Sequence, residues 1–311
     1  MLPGRSRECT ILNRIKTRVF VPSTSSLKLG IGDDCAVFRP GGREDLLFTT
    51  DMLLEDIHFR RETHSAADVG HKALARGLSD IAAMGGAPRF CLLSLAVPRW
   101  ADQAWVDRFY SGFLELADKT ATPLAGGDLA SAERFCGDVI VCGGVPRDGA
   151  LLRSGAKPGD GIFVSGRLGV SALGLAKGRG RPWKRHLRPE PRLTLGRFLR
   201  ERLHATAAMD LSDGLSLDLN RMCAASRVWA SIEQPPVYPG ATLDQALHGG
   251  EDYELLFTLP PAARPPASFE GLELTRIGTI RKAGKAGDSS SRILLDGKPL
   301  PPLGFDHFHN S

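Results

Sequence analysis

The chain has 311 residues, with 40 Lys+Arg against 35 Asp+Glu, 42% hydrophobic residues and 24% charged ones. At about 100–200 residues per domain this length supports two domains with buried cores, and the near-average composition excludes disorder as the main state. No run approaches the roughly 18 apolar residues of a membrane span, and Arg5, Arg7, Glu8, Arg14 and Lys16 interrupt the first stretch too often for a secretory core, so the expected setting is cytoplasmic.

In chain order, the patterning predicts a short strand over residues 46–50 and a helix over 65–84. That helix opens on a capping box (Ser65, Asp68), carries a Leu74/Leu78/Ile81 stripe and stops at Gly85-Gly86. A strand over 90–97 closes at Pro98. An amphipathic helix over 101–118 puts Trp105, Phe109, Phe113 and Leu116 on one core-facing side. A strand over 138–145 ends the first half. The turn formers of Arg153-Ser-Gly-Ala-Lys-Pro-Gly-Asp160 then mark a break, giving an expected boundary between 1–149 and 150–311. The second half predicts helices after Leu168, from Pro191 and from about Asp213, strands over 228–232, 253–259 and 272–280, and a loop over 284–291. The class expected is α/β with mixed sheets.

The six cysteines are scattered, without a C-x-x-C pair or a close His, and read as reduced thiols. The net charge of +5 is concentrated: residues 177–202 hold ten Lys/Arg against Glu190 and Glu201, a local excess of +8 that leaves about −3 for the rest. Broken by prolines and poor in aromatics, this segment reads as a solvated loop and helix face, not a nucleic-acid reader.

Chemistry is signalled by where acids sit. Asp33 and Asp34 follow Gly30-Ile-Gly32; Asp51 closes the strand ending at Thr50; Asp80 lies on the first long helix; Asp128 follows Gly126-Gly127. Asp210 and Asp213 flank Leu211-Ser212, and Glu251-Asp252 follow Gly249-Gly250. Each alone is ordinary turn chemistry, and Asp213 could be an N-cap. As a set, hard oxygen ligands beside glycines suit Mg²⁺ shared with substrate phosphates. The usual nucleotide signatures are absent: Gly284-Lys285 and Gly297-Lys298 are followed by Ala286 and Pro299, and there is no G-x-G-x-x-G, H-R-D, H-E-x-x-H or G-x-S-x-G.

Nine segments, in order, carry a resemblance: Gly30-Ile-Gly-Asp-Asp34, Thr49-Thr-Asp51, Glu55-Asp-Ile-His-Phe59, Leu78-Ser-Asp-Ile-Ala-Ala-Met-Gly85, Gly126-Gly-Asp128, residues 153–160, Asp210-Leu-Ser-Asp-Gly214, Gly249-Gly-Glu-Asp-Tyr-Glu-Leu-Leu-Phe257 and Gly304-Phe-Asp-His-Phe308. The sequence resembles the thiamine-monophosphate kinases, in the superfamily of aminoimidazole ribonucleotide synthetase and selenophosphate synthetase. The resemblance implies the two-domain fold of that superfamily and transfer of the ATP γ-phosphoryl group to thiamine monophosphate, with several Mg²⁺ ions, room for K⁺, and a homodimer. It implies metal contacts for Asp34, Thr49, Thr50, Asp51, Asp80, Asp128, Asp210 and Asp213. It gives ATP contacts to Tyr110, Gly127, Arg153 and Ser212, and acceptor contacts to His58, Glu251 and Phe305. Asp128, Arg153, Asp210 and Asp213 are the implied catalytic residues. Two positions depart from the family pattern: Leu129 stands where a Thr is usual, and Asp56 where a Gly is. The alternatives are a superfamily enzyme that releases phosphate, which for selenophosphate synthesis needs a reactive Cys in a Gly-rich setting that Cys9 lacks, and a nucleotide or thiamine sensor without catalysis.

The chemistry is coherent with that assignment. A phosphate monoester is mostly dianionic at neutral pH, so it needs no general base. Bringing two polyanions into line demands positioning and charge neutralisation.

Overall fold

A computed structural model describes Ile15, Thr17 and residues 26–283 and 292–306. Cys9, Phe308 and the loop expected over 284–291 lie outside the described residues.

The first half builds one sheet from β1 (Leu27–Leu29), β2 (Ala36–Phe38), β3 (Glu44–Leu54), β4 (Ala87–Val97), β5 (Leu124–Ser131) and β6 (Cys136–Pro146). Their order across the sheet is β1-β2-β3-β6-β4-β5, with β4 and β5 parallel and the other pairs antiparallel. Two helices, α1 (Ala66–Ala83) and α2 (Gln103–Lys119), cover one face. Ser65 caps α1 as expected, its Oγ accepting the Asp68 N–H at 3.2 Å. Leu74, Leu78 and Ile81 of α1 and Phe109 and Phe113 of α2 are fully buried in one core with Val139 and Val141 of β6. The two helices touch backbone to backbone. A Cβ on Gly70 would lie 2.0 Å from the Phe109 carbonyl oxygen, and one on Gly112 1.9 Å from that of Ala67, so only glycine permits this crossing.

The second half opens on a 3₁₀ turn (Arg153–Gly155) and builds a mixed sheet in the order β14-β13-β9-β12-β7-β10-β8, with β11 beside β12. Its strands are β7 (Gly161–Ser165), β8 (Ala207–Asp210), β9 (Trp229–Ile232), β10 (Leu255–Leu259), β11 (Ser268–Phe269), β12 (Leu272–Arg281), β13 (Ile293–Leu295) and β14 (Lys298–Pro299). Its helices are α3 (Val170–Lys177), α4 (Gly180–Leu187), α5 (Leu193–Glu201), α6 (Leu215–Ser226) and α7 (Leu243–His248). Strands β7 and β10 in the sheet interior are buried throughout, and so is β8, the last strand of the sheet.

Helix α1 joins the halves: it packs on β3 and β6 of the first sheet and also on α5 and β8 of the second half. The basic segment helps to bind them. Arg185 and Arg192 pair with the buried Glu254, Arg188 reaches Asp68 of α1 and Glu115 of α2, and Arg200 Nε donates to the Gly85 carbonyl at 2.8 Å. Four of the segment's ten basic residues thus form a clasp, while Lys177, Arg179, Arg181, Lys184, Arg197 and Arg202 are exposed, as its composition suggests. Pro182 does not break it, because it sits in the first turn of α4, where a missing N–H costs nothing.

Candidate functional site

The site forms where α1, β3 and the 30–35 loop meet β8 and the 211–214 turn. Strand β3 runs through Leu54, so Asp51 does not end a strand; it lies within one, opposite Val139. Side chains alternate along a strand, which turns Thr49 and Asp51 toward α1 and Thr50 to the outer face. Thr49 Oγ1 donates to Asp80 Oδ2 across to α1, and Ser79 Oγ donates to Asp210 Oδ2 of β8 at 2.7 Å.

Asp34, Asp80 and Asp210 each place one carboxylate oxygen within 4.8 Å of the others. They come from a loop and a helix of the first half and a strand of the second. Burial, with Asp51 and Asp210 nearby, pushes the Asp80 carboxyl well above its ordinary range; burial and Asp34 do the same to Asp210. Burial and Asp34 push Asp33 up to about 7. Like charges held this close in a buried place favour a proton or a cation among them. The donor set is entirely oxygen, with the Thr49 hydroxyl adjoining, and this fits a hard divalent ion such as Mg²⁺.

Three arginines brace the carboxylates. Arg153 on the 3₁₀ turn grips Asp34 with Nη2 at 2.6 Å and Nε at 3.2 Å, while its backbone N–H donates to Asp33. Arg76 of α1 donates from Nη2 to Asp51 Oδ1 at 3.2 Å and from Nη1 to the Met52 carbonyl at 2.7 Å. Arg221 of α6 donates to Asp213 and to the buried Asp218. Asp213 is not the N-cap of α6: Gly214 holds that place without a side-chain cap. The Asp218 carboxylate instead reaches back to accept the N–H groups of Asp213 and Gly214 at 3.0 and 3.1 Å, leaving the Asp213 carboxylate for other partners.

Beside the cluster lies a cavity of about 490 Å³. Asp51, Asp80, Asp210, Ser212 and Asp213 line one part of it, and His58, Glu251 and Phe305 another. All three expected acceptor residues thus share a cavity with five of the expected metal and nucleotide residues. A second cavity of about 420 Å³ shares His58 and Glu251 and is walled by His64, Trp183 and His186. Lys72 of α1, fully buried, stands 2.7 Å from Glu251 Oε1 and donates to the His58 carbonyl at 3.3 Å. Burial would raise the Glu251 carboxyl, but Lys72 and His186 outweigh it and hold it at about 2. Burial and Lys72 hold His186 down to about 3, so this imidazole is neutral at pH 7.

Other expected residues stand apart from the cavity. Asp128 lies within β5, in register with Ser94 of β4 and through it Asp138 of β6, and it is exposed. Thr50 Oγ1 donates to Asp138 at 2.5 Å, so Thr50 and Asp138 belong to this outer row. A Cβ on Gly127 would lie 1.8 Å from the Leu93 carbonyl oxygen, which ties that glycine to the close approach of β4. Tyr110 is half-buried and packs edge-on against Phe109.

Sequence reasoning missed Lys72, Arg76, Asp138, Asp218 and Arg221. One signal was available on α1: Lys72, Arg76 and Asp80 recur every four residues and so share a helix face, a polar stripe beside the apolar one.

Comparison with known proteins bears on this arrangement. Residues 32–146 match the model of AIR synthase related protein, N-terminal domain. The thiamine-monophosphate kinase of Rhodopirellula baltica is 39% identical over 300 residues, covering 90% of this chain and 91% of that one. The thiamine-monophosphate kinase of Escherichia coli K12 is 38% identical over 313 residues, covering 92% and 94%. Among solved structures, AaThiL complexed with AMPPCP and TMP superposes with a TM-score of 0.83 at 31% identity, covering 97% of each chain. The fold, with its two mixed sheets, is that of the AIR synthase related proteins, and the chain belongs to the thiamine-monophosphate kinase family.

Proposed function

We infer that this chain transfers the γ-phosphoryl group of ATP to thiamine monophosphate, giving thiamine diphosphate and ADP. The observation that carries the reading is the convergence of Asp34, Asp80 and Asp210, from both halves, beside a cavity that also holds His58, Glu251 and Phe305. Support also comes from a relative bound to AMPPCP and TMP together.

In the step, an acceptor phosphate oxygen bonds to the γ-phosphorus as the bond to the bridging β–γ oxygen breaks, and ADP leaves with that electron pair. The acceptor is already dianionic, so no side chain need take a proton. Mg²⁺ held by Asp34, Asp80 and Asp210, with Thr49, Asp51 and Asp213 nearby, would supply charge neutralisation for the phosphates. We assign Thr50 and Asp128, on the outer row, to further metal contacts, and Gly127, Arg153, Ser212 and Tyr110 to the nucleotide. Arg153 holds the Asp34 carboxylate in place through Nε and Nη2. Among the described residues Arg76 is the one Lys or Arg lining the cavity, so we assign it to the acceptor phosphate. Phe305 offers a ring face to the cationic thiazolium, and Glu251, ionised, offers a fixed negative charge.

K⁺ as an accessory cation, a homodimer, a domain boundary between residues 149 and 150 and a cytoplasmic setting complete the proposal. The five cysteines among the described residues are free, and none of the described helices is long and apolar enough to cross a membrane. Product analysis of the full chain with ATP, thiamine monophosphate, Mg²⁺ and K⁺ tests the reaction. Thiamine diphosphate and ADP should appear in equal amounts; inorganic phosphate without the diphosphate would overturn the assignment, and binding without turnover would make the chain a sensor.

A further inference from the structure

Lys72 is not among the residues lining the cavity, and its side chain is wholly inside the protein. Its ammonium touches two groups that come from different halves. One is Glu251 Oε1 at 2.7 Å, in the loop before β10; the other is the His58 carbonyl at 3.3 Å, in the turn after β3. On the far side of Glu251, His186 Nδ1 lies 3.5 Å from Oε2. His186 is fixed in turn by Ser171 Oγ at 2.8 Å and by stacking on Trp183, ring centroids 5.1 Å apart and planes 16° from parallel. Glu251 has φ 64°, a left-handed conformation that a non-glycine residue adopts at some cost and that its surroundings must enforce.

A buried ion pair gives little net stability, because desolvating both charges offsets their attraction; what it does give is one fixed arrangement. Here that arrangement sets the Glu251 carboxylate against the His58 turn in the wall of the cavity. We infer that Lys72 is a positioning residue, holding Glu251 and the His58 turn in the one relation that accepts the phosphorylated acceptor. The inference rests on the reading in which Glu251 and His58 face that acceptor. A carboxylate displaced by about 1 Å loses much of its contact with a bound cation, and such displacements cost up to about 100-fold.

The test measures calorimetric binding of thiamine monophosphate and, separately, of AMPPCP with Mg²⁺, in the full-length chain and in Lys72→Met, Glu251→Gln and the double variant. Lys72→Met should weaken the monophosphate about tenfold or more while AMPPCP affinity stays within about twofold. Because Lys72 acts through Glu251, adding Lys72→Met to Glu251→Gln should weaken binding less than about twofold further. Wild-type monophosphate affinity in Lys72→Met, equal losses for both ligands, or losses that add in the double variant would each overturn the inference. If Lys72→Met alone fails to fold, the double variant, which leaves no unpaired buried carboxylate, decides against Glu251→Gln by the same criterion. A Glu251→Gln protein that binds the monophosphate as well as wild type would remove the site reading itself and the inference with it.

Discussion

At the residue scale the cavity is a problem of charge. Asp51, Asp80, Asp210, Asp213 and Glu251 line it, and Arg76 is its lone lysine or arginine among the described residues. The Arg76 guanidinium is half anchored, by the Met52 carbonyl and by Asp51, while Nε makes no hydrogen bond. Five donors in a fixed fork leave capacity for a phosphate oxygen. Arg76→Gln should therefore raise KM for thiamine monophosphate by about 10–100-fold, the worth of a charge-assisted hydrogen bond, and reduce by a similar factor the preference over unphosphorylated thiamine. Steady-state kinetics with both acceptors checks this. An unchanged preference would return Arg76 to the role of counter-ion for Asp51 alone.

At the element scale, α1 is the part on which the site depends, since it carries Lys72, Arg76, Ser79 and Asp80 and packs on both halves. Its seat against α2 admits no side chain at Gly70. Gly70→Ala should destabilise the protein by about 2–3 kcal/mol, the upper part of the overpacking range, and depress turnover because Asp80 shifts with the helix; denaturant unfolding and the product assay read the two effects. The apolar stripe and the cap of α1 were legible in the sequence, as was the aromatic face of α2. Less legible were elements whose reason is tertiary. Strand β8 is four buried residues, Ala207–Asp210, too short for any period to show. Strand β3 is about twice the length expected over residues 46–50, because pairing with β6 along all eleven residues extends it back to Glu44 and on through the polar Asp51 to Leu54. Helix α4 hides behind Gly180 and Pro182, which fit its first turn. The acidic positions stood out by their neighbouring glycines, whereas Lys72 and Arg76 looked like ordinary helix residues, since burial and partners are not written in composition.

At the scale of the molecule, carboxylates from both halves meet in one cluster, Asp34, Asp80 and Asp210. Burial raises the Asp80 and Asp210 carboxyls well above the ordinary carboxylate range, so a divalent cation bound there competes with protons. Affinity for Mg²⁺ should therefore rise with pH, and binding should release protons. The folded-state pKa values lie above the unfolded ones, so in chelator these groups favour folding most at low pH and oppose it increasingly as pH climbs above about 4. Added Mg²⁺ relieves that penalty, and the gain in melting temperature on adding it should be larger at pH 8 than at pH 6.

The most direct measurement is calorimetric titration of Mg²⁺ into the full-length chain with AMPPCP present, beside Asp210→Asn, at pH 6 and pH 8. The wild-type protein should bind more tightly at the higher pH with release of protons. Asp210→Asn, folded by circular dichroism, should lose at least one ion or about tenfold or more in affinity, as loss of a ligating carboxylate entails. Equal stoichiometry and affinity in the two proteins at both pH values would contradict a cation site shared between the halves.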